Sequence, residues 1–107
     1  MAGTFTTKQL ANGQLPVSIG TLYTVPASTS TIVKSITLVN TDTVTRTVNL
    51  YISTGTARRI IPKDLSLLAG ESFRVDEVFT LEATHLIRGD ASAASVVDYV
   101  ISGVQET

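Results

Sequence analysis

Residues 30–53, STIVKSITLVNTDTVTRTVNLYIS, decide the fold class of this chain. Two runs rich in Val, Ile and Thr flank the polar connector Asn-Thr-Asp-Thr at residues 40–43, and such side chains favour β-strands. Apolar and polar residues alternate along both runs, which is typical of strands with one buried face. The pattern predicts a strand–turn–strand hairpin. The side chains expected on its buried face are Ile32, Ile36 and Leu38 in the first run and Val48, Leu50 and Ile52 in the second.

Short apolar runs of the same kind recur along the chain between turn residues. We expect further strands at residues 22–25, 58–61, 72–75, 78–81, 85–91 and 96–105, and one helical turn at residues 63–68 with Asp64 as its N-cap. Val occupies both faces of the last run, which indicates a central strand. The sequence predicts an all-β fold, a single antiparallel β-sandwich or flattened barrel of about seven to eight strands. This domain is expected to span residues 21–107.

Residues 1–20 show no useful periodicity and carry few large apolar side chains. We expect an extended N-terminal arm over this range. Two interpretations stay open: a frayed polar terminus, or an arm that becomes ordered against a neighbouring subunit.

Composition narrows the function classes. A chain of 107 residues fits one domain, and a net charge of −1 provides no basic surface for nucleic acid or an acidic membrane. The chain has no cysteine, so disulfides and thiolate metal sites are excluded. We see no signal peptide and no apolar run of the ~20 residues that a membrane span needs. Synthesis in a cytoplasm is therefore expected.

Few residues have the chemistry of a catalytic or metal site. His85 is the single histidine and has no cysteine to act with. The sequence contains no nucleophile elbow, P-loop or dinucleotide-binding glycine motif. Asp98 interrupts an apolar strand and is expected to face outward or to pair with Arg74 or Arg88. We therefore expect no enzyme, and no catalytic, cofactor-binding or metal-ligating residue.

The sequence also gives little support for an integrin-binding loop or a sugar-binding surface. Residues 88–90 spell Arg-Gly-Asp, which integrins read only on a protruding loop, whereas here it lies in a predicted strand. The chain has no tryptophan and few other aromatic residues, which disfavours a sugar-binding platform. A small carbohydrate-binding or host-surface module remains an alternative.

Three segments together resemble a known group of proteins. They are LYTVP at residues 22–26 leading into IVKSITLVN at 32–40, LLAGES at 67–72, and VDYVISGV at 97–104. In this order they are similar to virion structural proteins of tailed bacteriophages. The sequence departs from that pattern at residues 83–85, Ala-Thr-His, where a Gly-Asp type of turn is expected.

The resemblance implies a non-enzymatic β-sandwich of the virion, of the capsid decoration or cement type. A neck, tail or baseplate module is the alternative. The implied partners are the major capsid protein or another virion protein and further copies of the chain, with a trimer favoured. The residues expected at the subunit interface are Thr4, Phe5, Thr6, Leu10, Leu15, Val17, Ile19, Arg58 and Arg59.

Overall fold

The computed structural model describes residues 4–107, which fold into ten β-strands. Within this range there is no helix, and hence none long and apolar enough to cross a membrane. The strands are β1 (Phe5–Gln14), β2 (Gly20–Thr24), β3 (Ser30–Asn40), β4 (Arg46–Ser53), β5 (Ala57–Arg59), β6 (Leu65–Leu67), β7 (Ser72–Val75), β8 (Phe79–Leu81), β9 (Leu86–Ala91) and β10 (Val97–Glu106).

The strands form two antiparallel sheets that pack face to face. Sheet 1 has the order β1-β10-β3-β7, with β8 also paired to β3. Sheet 2 has the order β2-β9-β4-β5, with β6 also paired to β4. The predicted antiparallel β-sandwich is confirmed, and β10 is a central strand as expected. There are ten strands, because β1 and β6 add to the eight expected.

The predicted hairpin at residues 30–53 is wrong, although both of its strands exist. β3 belongs to sheet 1 and β4 to sheet 2, so the connector crosses from one sheet to the other. The reason is that β3 already has β10 on one side and β7 and β8 on the other, which leaves no edge for β4. Alternation identified two strands with buried faces, but it carries no information about which strand each one pairs with.

The buried face of β3 also differs from the prediction. A β-bulge places Lys34 as an extra residue, since Ser35 pairs with Ser102 whereas Val33 pairs with Gly103. One extra residue exchanges the two faces of the strand. Val33 is therefore fully buried and Ile32 only partly, while Ile36 and Leu38 lie in the core as expected.

The segment predicted as a helical turn is strand β6. Leu65–Leu67 pairs with Arg46–Val48 of β4, on the side where β5 continues further along the same strand. Asp64 does not cap a helix: its backbone is left-handed, with φ of 52°, and its N–H donates to the Asn49 Oδ1 atom at 2.9 Å. Pairing with β4 and burial of Leu67 outweigh the local helical preference.

The core lies between the two sheets and is built from aliphatic side chains of both. Its largest fully buried members are Leu15, Val25, Val33, Ile36, Leu38, Val48, Leu50, Leu67, Leu81, Ile87, Val97 and Ile101. Val48 and Leu50 were expected there, and Ile52 packs against the core while remaining partly exposed.

The arm expected at residues 1–20 is docked on the sandwich over its described part. Phe5–Gln14 forms β1 and pairs with β10 along its whole length, and the chain then crosses to β2 in sheet 2. Residues 1–3 lie outside the described range. The boundary at residue 20 and any contact of this segment with a neighbour stay predictions.

Candidate subunit interface

Strand β1 forms one edge of sheet 1 and leaves backbone groups unpaired. Thr4 and Thr107 exchange both backbone hydrogen bonds, at 2.9 and 3.0 Å. Because paired residues alternate along an antiparallel ladder, the N–H and C=O groups of Phe5, Thr7 and Gln9 point away from β10. We call these three residues the β1 free edge. A second bulge, with Leu10 as the extra residue, interrupts the ladder directly after them.

The other edge strands carry the features that usually prevent strand addition. β2, β5, β6, β7 and β8 have only three to five residues each, and both β5 and β7 contain arginine. Short edges and edge charges hinder pairing with another chain. β1 has ten residues, one charge at Lys8 and no proline. With Lys8 and the bulge at Leu10 as its protecting features, it is still the longest edge strand among residues 4–107.

The N-terminal residues predicted at an interface differ widely in exposure. Thr4, Phe5 and Thr6 are exposed, with Phe5 at 65%. Leu10 is partly buried and packs against the core. Leu15 is fully buried and presents no surface to a partner.

A second group of exposed apolar residues lies at the end of the sandwich where β3 ends. Val17 and Ile19, which the sequence singled out, are 59% and 41% exposed in the link from β1 to β2. Val44 and Leu68 are 49% and 61% exposed in neighbouring loops. The side chain of Asn40 holds both loops, since it donates to the carbonyl oxygens of Val44 and Leu68 at 2.9 and 3.2 Å. Sequence reasoning missed Val44 and Leu68, although each is a large apolar residue beside a polar turn.

Arg58 and Arg59 are both exposed but have different surroundings. Arg59 donates to Oδ1 of Asn49, and its guanidinium carbon lies 5.0 Å from the centre of the Tyr51 ring. Asn49 in turn donates to the carboxylates of Asp64 and Asp90, at 3.0 and 2.9 Å. This cluster holds Arg59 on the outer face of sheet 2.

The same cluster changes the acidity of Tyr51. Its hydroxyl donates to the carboxylate of Asp90 at 3.2 Å. Partial burial and the negative charge of Asp90 raise the pKa of Tyr51, while the positive charge of Arg59 opposes the rise. Tyr51 therefore stays a neutral hydrogen-bond donor well into the alkaline range.

A hollow of about 520 Å³ lies at the end of sheet 2 where β4 ends and β9 begins. It is lined by Ser53, Thr54, Gly55, Thr84, His85, Leu86 and Arg88. Nδ1 of His85 accepts a hydrogen bond from the backbone N–H of Glu82 at 3.1 Å, so this ring nitrogen already has a partner within its own turn. Among the described residues, no three His, Cys, Asp or Glu side chains converge as metal ligands.

The remaining motifs lie within the sheets. Residues 88–90, Arg-Gly-Asp, occupy the middle of β9 between β2 and β4, so they do not form a protruding loop. Asp98 accepts a hydrogen bond from the side chain of Gln14 in β1 at 3.1 Å. Its partner is therefore neither Arg74 nor Arg88.

No protein-family model matches the sequence, and no curated protein matches it significantly. Solved structures nevertheless share the fold. A chain in the acid-stable capsid structure of Helicobacter pylori bacteriophage KHP30 is 13% identical, with a TM-score of 0.56 over 100% of this chain and 89% of that one.

Two further likenesses have similar strength. A chain of the Bacillus endospore appendages, a family of disulfide-linked pili, is 16% identical with a TM-score of 0.51, over 98% of this chain and 89% of that one. A chain in the structure of infectious bursal disease virus, Gx strain, is 15% identical with a TM-score of 0.53, over 97% of this chain and 32% of that one. At these identities the likeness shows a common β-sandwich fold, which occurs in viral particles and in a surface fibre.

Proposed function

We propose that this protein is a non-enzymatic structural component of a bacteriophage virion that decorates the capsid and stabilises it by bridging neighbouring capsid subunits. The observation that carries the proposal is the long edge of β1, because its ten residues offer a partner a longer row of outward backbone groups than any other edge strand described. The whole-length fold likeness to a chain of a phage capsid structure supports it.

The mechanism is multivalent. Each contact surface on a sandwich of this size is small, so one contact binds weakly. Linked contacts to neighbouring subunits raise the overall affinity without strengthening any single contact. A net charge of −1 adds little repulsion between copies that lie close together on a particle.

Five of the nine contact residues proposed from the sequence form two groups. Phe5 and Thr6 belong to β1 at the edge of sheet 1 and Thr4 directly precedes it, while Val17 and Ile19 belong to the apolar end of the sandwich. Surfaces at an edge and at an end suit a protein that touches two neighbours at once. On the sequence argument a trimer is favoured, whereas the edge of β1 suits a twofold pair.

Copy number in purified particles tests the assignment. Quantitative mass spectrometry of virions should find hundreds of copies of a decoration protein. Copy numbers near six or twelve would instead assign the chain to a neck, tail or baseplate ring. Absence of the chain from particles would overturn the proposal.

A surface variant tests the role of β1. Deleting the strand would uncover β10, so we favour Phe5→Lys, Thr7→Lys and Gln9→Lys together, which leave the β1–β10 hydrogen bonds in place. Lysine on an edge opposes strand addition. Occupancy on particles should fall at least tenfold, whereas the charge-matched variant Thr24→Lys, Thr54→Lys and Thr56→Lys, all exposed at the end of the sandwich away from Val44, should bind as the parent does.

A further inference from the structure

We propose that the β1 free edge pairs antiparallel with the same edge of a second copy of this chain, about a twofold axis at Thr7. The inference deepens the proposed function, since it names the partner of β1. The two sheets would join into one continuous sheet that spans both copies.

The hydrogen-bonding pattern sets the register. Phe5, Thr7 and Gln9 direct their N–H and C=O groups outward, as the reciprocal bonds between Thr4 and Thr107 require. Pairing Thr7 with Thr7 of the second copy places Phe5 opposite Gln9 and Gln9 opposite Phe5. In this register each outward group on both copies finds a partner. A shift by two residues in either direction pairs only two of the three residues of the β1 free edge with each other.

The side chains fit the same register. Lys8, the one charged residue of β1, lies opposite Thr6 of the second copy, so the two Lys8 side chains are diagonal neighbours and not directly opposed. The exposed ring of Phe5 packs beside Gln9 of the second copy and loses contact with water. An isologous pair also closes on itself, because the same edge serves on both sides and no edge is left to propagate a fibre.

A second copy is the favoured occupant for a geometric reason. Strand addition needs a partner edge with outward backbone groups at matching spacing, and β1 supplies the longest such edge in the described part of this chain. The chain has no cysteine, so the pair must be held by hydrogen bonds and packing alone. The edge of one strand buries less area than a typical stable interface. The pair is therefore expected to exchange rapidly in dilute solution.

Single cysteines in purified protein test the pair, since the natural chain has none. Thr7→Cys places two thiols across the twofold axis at a Cα separation of about 5.5 Å, within the range that a disulfide spans. In a glutathione buffer this variant should form a covalent dimer at least ten times faster than Thr43→Cys, which lies in an exposed turn.

Two further variants test the register. Phe5→Cys and Gln9→Cys should each dimerise as slowly as Thr43→Cys, because like residues lie about 14 Å apart along the strand. A mixture of the two should form the heterodimer rapidly. Adding Thr7→Pro to both variants removes an outward N–H and leaves the hydrogen bonds to β10 in place. This change should abolish rapid formation of the heterodimer while the circular dichroism spectrum stays unchanged.

The outcomes separate clearly. Linking of Thr7→Cys at the rate of Thr43→Cys would overturn the proposal, as would fast self-linking of Phe5→Cys or a trimer in sedimentation of the unmodified protein. Because no virion is present, failure here leaves the proposed virion role standing. Absence of the chain from particles would leave the pair standing.

Discussion

The side-chain nitrogen of Asn40, at the end of β3 in sheet 1, donates a hydrogen bond to the carbonyl oxygen of Leu67 in sheet 2 at 3.0 Å. Asn40 is fully buried, and the same nitrogen also contacts the carbonyl oxygens of Val44 and Leu68. Its side-chain oxygen accepts from the N–H of Asp42 at 2.9 Å. One amide thus fastens the crossover between the sheets to the loop that follows β6.

Asn40→Ala should destabilise the fold strongly, because it leaves several buried backbone groups without partners. We expect a loss of about 2–4 kcal/mol in the free energy of unfolding, measured by urea denaturation followed by circular dichroism. Thr45→Ala, an exposed position in the same loop, is the matched control and should change stability by less than about 0.5 kcal/mol. Equal effects of the two substitutions would contradict this role of Asn40.

Gly103→Ala should be disruptive even though it adds only one methyl group. A Cβ at residue 103 would overlap the backbone carbonyl of Ile32 at the bulge and press on Leu10 at 3.0 Å. Since backbone atoms cannot move aside cheaply, we expect a loss of about 2 kcal/mol or more. Thermal unfolding should show a lower Tm than for Ser102→Ala, its neighbour on the outer face of β10. A Tm equal to that of the Ser102 variant would show that the bulge tolerates a side chain.

Acid should weaken the loop after β3 through Asp42. A hydrogen bond from the N–H of Thr43 and the contact with Arg46 lower the pKa of this carboxyl below its ordinary value. A lowered folded-state pKa stabilises the fold at neutral pH, and this contribution is lost as the pH falls below about 4. Carbon-detected NMR titration should place the Asp42 midpoint below that of an unstructured peptide. Arg46→Gln should raise it, and an unmoved midpoint would count against the ion pair.

Arg59 and Arg58 form a matched pair for testing the outer cluster of sheet 2. Removing the guanidinium of Arg59 withdraws the positive charge that opposes the rise in the Tyr51 pKa. Arg59→Ala should therefore raise that pKa further and lower stability by about 0.5–1 kcal/mol. Arg58→Ala should do neither. NMR observation of the Tyr51 ring during an alkaline titration measures the pKa, and urea denaturation measures the stability. The same Tyr51 midpoint in both variants would contradict the prediction.

The fold class was readable from the sequence because it depends on local patterns. Val-, Ile- and Thr-rich alternation identified eight of the ten strands, and valine on both faces marked β10 as central. β1 escaped notice since FTTKQLANGQ has almost no apolar alternation. Its strand conformation comes from the hydrogen bonds of β10 and not from its own side chains.

The exposure of the residues proposed for the interface was only partly predictable. Phe5, Val17 and Ile19 were selected because large apolar residues stood out in a polar segment, and all three are exposed. Leu15 met the same criterion but is buried, because its N–H bonds to Val97 and draws the side chain into the core. Side-chain chemistry alone does not distinguish these two outcomes.

The sequence by itself determined that this chain forms an antiparallel β-sandwich, because strand conformation and buried faces follow from side chains close together in the chain. Only the tertiary structure decided that β3 and β4 lie in different sheets, that Lys34 bulges and exchanges the faces of β3, and that β1 docks on β10. These features depend on which distant backbone groups find hydrogen-bond partners. Because strands from all parts of the chain compete for these partners, the pairing does not follow from any single segment.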